Sequence, residues 1–416
     1  MSKFRILAGV LLAGVGAALA GLAPSVTAQA QTAPPAAAKS YIVYVGTYTT
    51  GRSKGIYGYR LTPATGELAP MGLIQEAANP SWLAAHPNHR VLYVANEHPT
   101  KTAPGNTVSA YARDEATGKL TLLNAVSTKG EGPAHISVDH TGKVLVAANF
   151  ITGSVASFRI LPDGKLSEAV SVIAQEGQAK GPPVPKDDRG VSPTDSHNHC
   201  AMISPDNRFV TVCNIGIGRI YVFGLNTKTG VLTPSGGFDV PPGADQPRAR
   251  PRHMTFHPNG KYAYFVDSNN QVAVAAYDAA TGAFKPLQGF AVATDDPGKA
   301  ASGAEIQIDQ AGKYVYTSGR GADETLNLVH VGGSLNVFAV DASTGKLTPV
   351  QQISTGGDGP RTFSLDPSGG FLFVGNRNSN NIVVFSVDRT TGRLRPTGKV
   401  LTDAPEASCF LFEAAQ

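Results

Sequence analysis

The sequence PRHMTFHPNGKYAYFVD, residues 251–267, decides the fold because it contains one complete β-hairpin. HMTF and YAYFV are rich in residues that favour strands, and the PNGK between them is typical of a tight turn. If the central Asn-Gly dipeptide forms the turn, His253 pairs with Val266. Arg252 then pairs with Asp267, which predicts two opposite charges across from each other at the open end of the hairpin.

The second strand of this hairpin recurs along the chain. It appears as YIVYVGT, VLYVAN, VLVAAN, FVTVCN, YAYFVD, YVYTSG and FLFVGN, which end at Thr47, Asn96, Asn149, Asn214, Asp267, Gly319 and Asn376. These ends are 49 to 65 residues apart, and a period of about 50 residues marks repeat architecture. Each copy continues with a third strand, a glycine-containing turn such as ATGKL, and a fourth strand.

Four short antiparallel strands per unit, repeated seven times without helical periodicity, predict an all-β, seven-bladed β-propeller. A pair of β-sandwiches is the alternative, but it would not need one strand order throughout. The first copy lacks its first strand, whereas an unassigned strand, EASCFLFE, follows the last copy. We therefore expect the C-terminal strand to complete blade one and close the ring.

The N-terminal sequence predicts export. Two basic residues precede an apolar run, and an Ala-Gln-Ala sequence ending at Ala30 resembles a cleavage site, so residues 1–30 are predicted to be a signal peptide. An uncleaved anchor is the alternative, because the run over residues 6–23 is barely long enough to span a bilayer. Residues 31–40 form a linker rich in Ala and Pro, and residues 41–416 form the propeller. We expect a periplasmic or secreted protein.

Composition argues against several classes of partner. Basic residues number 35 against 31 acidic residues and are scattered, which does not favour nucleic acid. No later apolar run is long enough to span a membrane.

The three cysteines lack the spacing of a zinc site. Cys200 is predicted opposite Cys213, and export would permit a disulfide between them, although directly opposed strand positions often give poor bridge geometry. Cys409 is predicted to be an unpaired thiol.

The same pairing rule identifies the residues at the open end of every hairpin. It pairs Ser81 with Asn96, Ala134 with Asn149, His199 with Asn214, Ala304 with Gly319, and Arg361 with Asn376. If the first two strands of each blade are innermost, these residues converge at one mouth of the central channel. The residues that stand next to this ring are His197, Glu97, His135, His253, Glu305, Arg320 and Arg377. The long segments 177–199 and 321–333 lie beside it, and the first would be a lid over the mouth.

Several of these residues have ordinary structural explanations. Strand-end asparagines commonly hydrogen-bond their own backbone, an interpretation that applies to Asn96, Asn149 and Asn376. Arg252 and Asp267 would form a cross-strand salt bridge whether or not they have a function. Three histidines are expected to be packing or turn residues: His86, His253 and His257. His197 and His199 are better candidates for function, since they lie in a loop that enters the mouth.

The motifs GPAHISVD, SHNHCAMISPDNRFVTVCNIGIGRI, PRHMTFHPNGKYAYFVD, SGRG and YVGTYTTGRSKGIYGYRL resemble the lactonase-type seven-bladed propellers. That family includes the propeller form of 6-phosphogluconolactonase and a fungal carboxymuconate cyclase. The resemblance covers about residues 41–413 and implies hydrolysis or formation of a lactone ring in the channel mouth. By this resemblance, His197 and His199 match the family's P-H-x-H element. Arg252 matches its PRH arginine, and Arg320 matches its arginine in a SNRG-like element.

The sequence departs from the family pattern at two places. The family more often has glutamate where Asp267 stands, so this chain has a shorter carboxylate there. The stretch NIGIGRI keeps Arg219, but Asn214 and Gly218 occupy positions that are acidic in the family. These departures bear on activity more than on fold.

The matched residues suit ring opening. Water must lose a proton as it attacks an ester carbonyl, and His199 and Asp267 are the candidate bases. Arg252 is the third catalytic candidate, because a guanidinium can stabilise the developing oxyanion. The candidate substrate-binding residues are His197, Arg219, Arg320, Arg361 and Glu97.

We therefore predict an exported, lactonase-like hydrolase that opens a sugar or related lactone. Because phosphorylated sugars belong to cytosolic metabolism, export favours a plain aldonolactone or an aromatic-derived lactone. The alternatives are a non-catalytic binding propeller and a lactone-forming cycloisomerase. No cofactor is predicted. In a metal-dependent alternative, Ca²⁺ would take oxygen ligands from Glu97, Asn149, Asn214 and Asp267.

Overall fold

The structure is a computed structural model that describes residues 40–101, 104–175, 192, 194–242, 248–291, 302–321 and 332–415. The predicted signal peptide lies outside the described residues. So do most of the predicted linker and most of the two long segments, 177–199 and 321–333.

Every regular element in the described residues is a β-strand, and the strands form seven antiparallel sheets of four. From the innermost strand outward, blade 1 contains β28 (Ala407–Ala414), β1 (Tyr41–Thr47), β2 (Gly55–Thr62) and β3 (Glu67–Glu76). Blade 2 contains β4 (Pro80–Ala85), β5 (Val91–Asn96), β6 (Thr107–Arg113) and β7 (Leu120–Ser127). Blade 3 contains β8 (Pro133–Val138), β9 (Val144–Asn149), β10 (Ser154–Ile160) and β11 (Leu166–Ala174).

The remaining blades follow the same order. Blade 4 contains β12 (Asn198–Ile203), β13 (Phe209–Asn214), β14 (Arg219–Leu225) and β15 (Leu232–Asp239). Blade 5 contains β16 (Pro251–Phe256), β17 (Tyr262–Asp267), β18 (Gln271–Asp278) and β19 (Ala283–Ala291). Blade 6 contains β20 (Ser302–Ile308), β21 (Tyr314–Arg320), β22 (Gly333–Val340) and β23 (Leu347–Ser354). Blade 7 contains β24 (Pro360–Leu365), β25 (Phe371–Asn376), β26 (Asn381–Val387) and β27 (Leu394–Leu401).

The predicted seven-bladed propeller and its closure are both confirmed. The C-terminal strand β28 pairs antiparallel with β1 as the innermost strand of blade 1. The innermost strands contact one another in the order β28, β4, β8, β12, β16, β20, β24 and back to β28. Within the described residues, no helix is long and apolar enough to cross a membrane.

The hydrophobic cores lie between neighbouring blades. Every residue of β5 and β9 is buried, because these strands are covered by a blade on each face. Their sequences, VLYVAN and VLVAAN, are therefore apolar without alternation, whereas the outermost strand β11 alternates partly buried and exposed residues after its first position. Tyr93 packs between blades 2 and 3, and its hydroxyl donates to the Gly164 carbonyl oxygen at 3.0 Å. Burying such a side chain contributes about 1.5–3 kcal/mol.

The inner hairpins differ from the predicted register at their open ends. His253 pairs with Val266 as predicted, but Pro251, and not Arg252, pairs with Asp267. Arg252 is the extra residue of a β-bulge, so the predicted Arg252–Asp267 pair is wrong. Pro251 has no N–H to donate to the partner strand, which disfavours continuing a regular ladder there.

The same bulge is present in all seven blades. The pairs at the open ends are Pro80 with Asn96, Pro133 with Asn149, Asn198 with Asn214, Pro251 with Asp267, Gly303 with Gly319, Pro360 with Asn376, and Ala407 with Thr47. The bulge residues, which we call the bulge ring, are Ser408, Ser81, Ala134, His199, Arg252, Ala304 and Arg361. The predicted open-end pairs are therefore wrong by one residue throughout. We call this end of the inner hairpins the bulged end and the other the turn end.

The cysteines agree with the predicted register. Cys200 pairs with Cys213 across β12 and β13, and both are buried free thiols. Cys409 is also a buried free thiol, as predicted.

Candidate active site

A cavity of about 310 Å³ is lined by residues from the bulged end of the inner hairpins. This volume is within the range of small-molecule sites. The described lining holds one carboxylate, from Glu97, and five guanidinium groups, from Arg250, Arg252, Arg320, Arg361 and Arg377. The lining is therefore strongly electropositive.

One position of the repeat supplies half of the lining. The residue that directly follows the bulged-end pair on the second strand lines the cavity in all seven blades; in six blades it lies just after the strand, and in blade 6 it is the last residue of β21. We call this set the post-strand ring; it consists of Tyr48, Glu97, Phe150, Ile215, Ser268, Arg320 and Arg377. From the bulge ring, His199, Arg252 and Arg361 also line the cavity.

The structure brings five of the eight predicted site residues to this cavity: His199, Arg252, Arg320, Arg361 and Glu97. The other three, Asp267, His197 and Arg219, are not among the lining residues. The polar strand ends therefore converge on one shared cavity. Asp267, the carboxylate predicted to act as a base, does not line it.

His199 is the bulge residue of β12 and is only 6% exposed. Its Nδ1 lies 3.1 Å from His253 Nε2. Its Nε2 makes no hydrogen bond to any described residue and is the nitrogen left for the cavity. Burial lowers the pKa of His199 well below its ordinary value, and nearby His253, Arg361 and Arg320 lower it further. The imidazole is therefore neutral at pH 7 and able to accept a proton.

Two arginines from blades 5 and 6 are fixed near His199. Arg252 is 2% exposed, and its Nη1 donates to the Ala304 carbonyl oxygen of the next inner strand. Arg320 Nη2 donates to Ser302 Oγ at 2.9 Å. Both guanidinium groups line the cavity, where fixed N–H donors can meet negative charge on a bound molecule.

A second group comes from blades 1, 2 and 7. Tyr48 donates its hydroxyl hydrogen to Glu97 Oε2 at 2.9 Å, and Arg361 Nη2 donates to the Tyr48 hydroxyl oxygen at 2.9 Å. Burial raises the pKa of Glu97, but His98, 3.3 Å away, and Arg361 outweigh burial and lower it overall. Glu97 therefore stays ionised and anchors Tyr48 and Arg361. The Arg377 guanidinium lies 4.4 Å from the centre of the Tyr48 ring.

Asp267 is 3% exposed and faces the backbone of its own blade. Its carboxylate accepts hydrogen bonds from the Arg250 N–H and, at 2.6 Å, from the Asn269 N–H. Burial raises its pKa to about 6. The bulge explains the difference from the predicted site, because Pro251 occupies the position opposite Asp267 and separates it from Arg252. Asp267 holds the loop that carries Arg250 and Ser268 into the cavity lining.

His197 and Arg219 also have structural contacts. The His197 ring nitrogens face two backbone carbonyl oxygens, Phe150 at 2.9 Å and Ser192 at 2.7 Å. Its ring stacks on Phe150 with centroids 4.8 Å apart, so it fixes a lining residue without lining the cavity itself. Arg219 Nη1 lies 2.6 Å from Asp239 Oδ1 on the adjacent strand.

Eight lining residues were not predicted from the sequence: Tyr48, Thr50, His98, Phe150, Ile215, Arg250, Ser268 and Ser302. Tyr48 and Phe150 belong to the post-strand ring, so the repeat position itself was a sufficient signal for them. Arg250 precedes the bulge of β16 and has no such signal.

Within the described residues, no group of three or more His, Cys, Asp or Glu side chains is arranged to hold a metal ion. Two of the four residues suggested as Ca²⁺ ligands, Asn214 and Asp267, already accept hydrogen bonds from backbone N–H groups. Asn214 Oδ1 accepts the Ile217 N–H at 2.9 Å, and Asp267 accepts two backbone N–H groups.

Comparison with known proteins gives one consistent result. The sequence model of the family "Lactonase, 7-bladed beta-propeller" matches residues 42–412. The 6-phosphogluconolactonase of Bacillus subtilis is 36% identical over 345 residues, which cover 83% of this chain and 90% of the relative. The 6-phosphogluconolactonase of Formosa agariphila is 29% identical over 348 residues, which cover 82% of this chain and 91% of the relative.

Solved structures agree with these sequence matches. The structure of the Pseudomonas aeruginosa periplasmic gluconolactonase is 28% identical, with a TM-score of 0.78. The match covers 91% of this chain and 100% of that chain. The chain therefore belongs to the lactonase family of seven-bladed β-propellers.

Proposed function

We propose that this chain hydrolyses a sugar lactone that carries an anionic group, and that the reaction takes place in the cavity at the mouth of the central channel. One observation carries the proposal: a neutral His199 shares a lining with five arginines and one carboxylate. Guanidinium groups bind phosphate and carboxylate through paired hydrogen bonds. A negatively charged substrate therefore fits this lining better than a neutral one.

Ring opening by water needs a base and a donor for the developing negative charge. In the proposed reaction, His199 Nε2 takes a proton from water, and the hydroxide attacks the lactone carbonyl carbon. Arg252 donates to the oxyanion of the tetrahedral intermediate. Collapse of that intermediate breaks the ring C–O bond, and the proton on His199 passes to the leaving oxygen. Arg361 and Arg377 are assigned to the anionic group of the substrate.

The names of the relatives support lactone hydrolysis and differ in the substrate. Those from Bacillus subtilis and Formosa agariphila are 6-phosphogluconolactonases, whereas the one from Pseudomonas aeruginosa is a gluconolactonase. For this chain the arginines favour an anionic lactone, with phosphate or carboxylate as the charged group, over the plain aldonolactone expected from export alone. The two share the same recognition chemistry, and a substrate panel separates them.

We also propose that the protein is exported, as predicted from residues 1–30. The word periplasmic in the name of the Pseudomonas aeruginosa relative supports this proposal. N-terminal sequencing of the protein from separated cell fractions is the test. A chain that starts after Ala30 outside the cytoplasm supports export, and an intact N-terminus in the cytoplasm contradicts it.

The function is tested by pH-stat assays of the purified protein on three lactones: 6-phosphogluconolactone, plain gluconolactone and a carboxylated sugar lactone. We expect kcat/KM to be at least tenfold higher for a charged lactone than for the plain one, since one charge-assisted hydrogen bond is worth about 1.5–3 kcal/mol. His199→Ala should lower kcat by about 10²–10⁴-fold without lowering the melting temperature.

His140→Ala is the matched control, because His140 is an exposed histidine at the turn end of blade 3. It should behave as the wild type. Turnover of no lactone above the spontaneous rate would contradict the hydrolase and favour a binding propeller. Equal kcat/KM on charged and plain lactones would contradict the proposal that the substrate carries an anionic group.

A further inference from the structure

We propose that His199, His253 and Glu305 form a buried proton relay, in which His253 and Glu305 position His199 and take over the proton that it removes from water. This inference rests on the proposed lactonase function and deepens it. It assigns roles to two residues that do not line the cavity. We call the three residues the relay.

The relay crosses the inner strands of three consecutive blades. His199 lies on β12, His253 on β16 and Glu305 on β20. His199 Nδ1 is 3.1 Å from His253 Nε2, and His253 Nδ1 is 3.2 Å from Glu305 Oε1. Each distance is that of a hydrogen bond, so the three side chains form one continuous path from the cavity into the protein.

The bulges create this path. His253 and Glu305 each follow directly after a bulge residue, one step deeper along the inner strand than His199. They are 2% and 4% exposed. Trp82 closes one side of His253 with its ring edge-on at a centroid distance of 5.1 Å. Glu305 Oε1 also accepts the Ile306 N–H at 3.0 Å, which fixes the carboxylate. His253 and Glu305 are therefore held in place and screened from water.

The relay conserves atoms and charge in the proposed reaction. Water gives a proton to His199 Nε2 as its oxygen bonds to the lactone carbonyl carbon. The His199 Nδ1 proton moves to His253 Nε2, and the His253 Nδ1 proton moves to the Glu305 carboxylate. Neither ring becomes an imidazolium, because each gains one proton and loses another. When the ring C–O bond breaks, the same shifts run backwards and protonate the leaving oxygen.

The electrostatics agree with this geometry. Burial raises the pKa of Glu305 to about 8 and lowers that of His253 to about 3. The charged imidazolium is therefore disfavoured, and the carboxylate is the group that titrates near neutral pH. Below that pKa, Glu305 holds the proton and His199 carries its hydrogen on Nε2. Above it, Nε2 is free to act as a base.

Other ionisable groups surround the relay. Arg361, Arg320 and His135 face His199. Cys200, His135 and Arg320 face His253. His135 and Cys409 lie near Glu305. The arginines do not titrate near neutral pH. Burial raises the pKa of Cys409 to about 12, which is outside the window tested.

The test is Glu305→Gln, which keeps the shape of the side chain and removes its proton chemistry. We expect wild-type kcat/KM, corrected for spontaneous hydrolysis, to rise as pH passes through about 8, following Glu305. The variant should lose this rise and about 10²-fold in kcat, with KM changed less than about threefold. Glu413→Gln is the control, since Glu413 is a buried carboxylate bonded to His89 at the turn end. It should keep the wild-type pH profile.

A second measurement does not depend on turnover. In protein with ¹⁵N-labelled histidine, we expect the rings of His199 and His253 to exchange their protonated nitrogens as pH passes through about 8, without gaining charge. Glu305→Gln should abolish this exchange. Rings that keep one tautomer throughout, or that become charged near neutral pH, would overturn the relay.

The two proposals fail in different ways. If the wild type is active and Glu305→Gln keeps its rate and pH profile, the relay is wrong and the lactonase function stands. If the wild type hydrolyses no lactone, the proposed function is wrong, and the NMR titration still decides whether the three side chains share a proton.

Discussion

At the turn end of the inner hairpins the same hydrogen bonds recur from blade to blade, whereas at the bulged end the side chains change from blade to blade. Asp139 accepts the backbone N–H groups of Lys143 and Val144 at 2.5 and 2.7 Å. Asp309 and Asp366 accept the equivalent N–H groups in blades 6 and 7. His86 and His257 each link a turn to the glycine carbonyl oxygen of the next blade.

The bulged end has a repeated backbone and varied side chains. All seven blades have the bulge, but the bulge ring contains two serines, two alanines, two arginines and one histidine. The post-strand ring varies as widely, from Ile215 to Arg377. Recurring bonds at one end hold the hairpin turns and link them to the next blade, and differing side chains at the other end make a single asymmetric site. Within one sequence, differences between repeats therefore mark the candidate site without any comparison to relatives.

Among the variants that compare the two ends of the hairpins, Arg252→Lys at the bulged end is expected to have the largest effect on turnover. Lysine keeps the charge but loses the planar guanidinium that bonds the Ala304 carbonyl oxygen while lining the cavity. We expect kcat on the best lactone to fall by about 10²–10³-fold, as when one oxyanion donor is removed. Steady-state kinetics and a melting curve on the same sample are the measurements.

Arg208→Lys is the control at the turn end. Arg208 Nη1 donates to the Ala279 carbonyl oxygen of the next blade at 3.1 Å, so it makes the same kind of bond far from the cavity. Turnover should be unchanged. Equal losses in both variants would mean that Arg252 acts only by joining two blades.

A smaller effect on turnover is expected for Asp267→Asn. Asp267 accepts two backbone N–H groups and does not line the cavity. We expect kcat/KM to stay within about threefold of the wild type, because an amide oxygen still accepts one of those bonds. A loss of 10²-fold or more would restore Asp267 as a candidate base.

The same variant gives a stability test. Burial raises the pKa of Asp267 in the folded protein to about 6, so the folded state binds more protons than the unfolded state between about pH 4 and 6. The wild type should lose stability relative to Asp267→Asn as pH rises through that window, by up to about 3 kcal/mol. Urea unfolding at pH 4 and pH 7 measures the difference, and a constant difference would contradict the raised pKa.

The fold could be predicted from the sequence because the repeat is strong. Strand pairing was correct in the middle of the hairpins, as for His253 with Val266 and Cys200 with Cys213. It was wrong at the bulged end because regular pairing has no place for an extra residue. A signal was present, since Pro80, Pro133, Pro251 and Pro360 begin four of the inner strands, and a proline cannot donate to the ladder.

The site was only partly predictable, because contacts between blades decide which side chains face the cavity. His197 and His199 differ by two positions, yet Phe150 and Ser192 hold the first away from the cavity while His253 holds the second at it. The sequence places His253 and Glu305 52 residues apart, with no local pattern that joins them. Their contact follows from the packing of β16 against β20.

The smallest effect on turnover is expected at the turn end, for Asp139→Ala. Asp139 is fully buried, and alanine would remove the bonds that it accepts from three backbone N–H groups, those of Thr141, Lys143 and Val144. We expect the free energy of unfolding to fall by about 3 kcal/mol. The kcat per folded molecule should be unchanged, because the altered turn is at the far end of the hairpin from the cavity. Urea unfolding and active-site-normalised kinetics are the measurements.

The loss of folding stability in Asp139→Ala should depend on pH. Burial raises the pKa of Asp139, but its hydrogen bonds from Thr141, Asn207 and Val144 outweigh burial and lower it overall. A lowered carboxyl pKa stabilises the folded state above the unfolded value of about 3.9, and the contribution is lost as pH falls below it. The gap in stability between wild type and Asp139→Ala should therefore narrow below about pH 4. A variant that kept its stability but lost turnover would show that the turn end takes part in the site, and the division between the two ends of the hairpins would not hold.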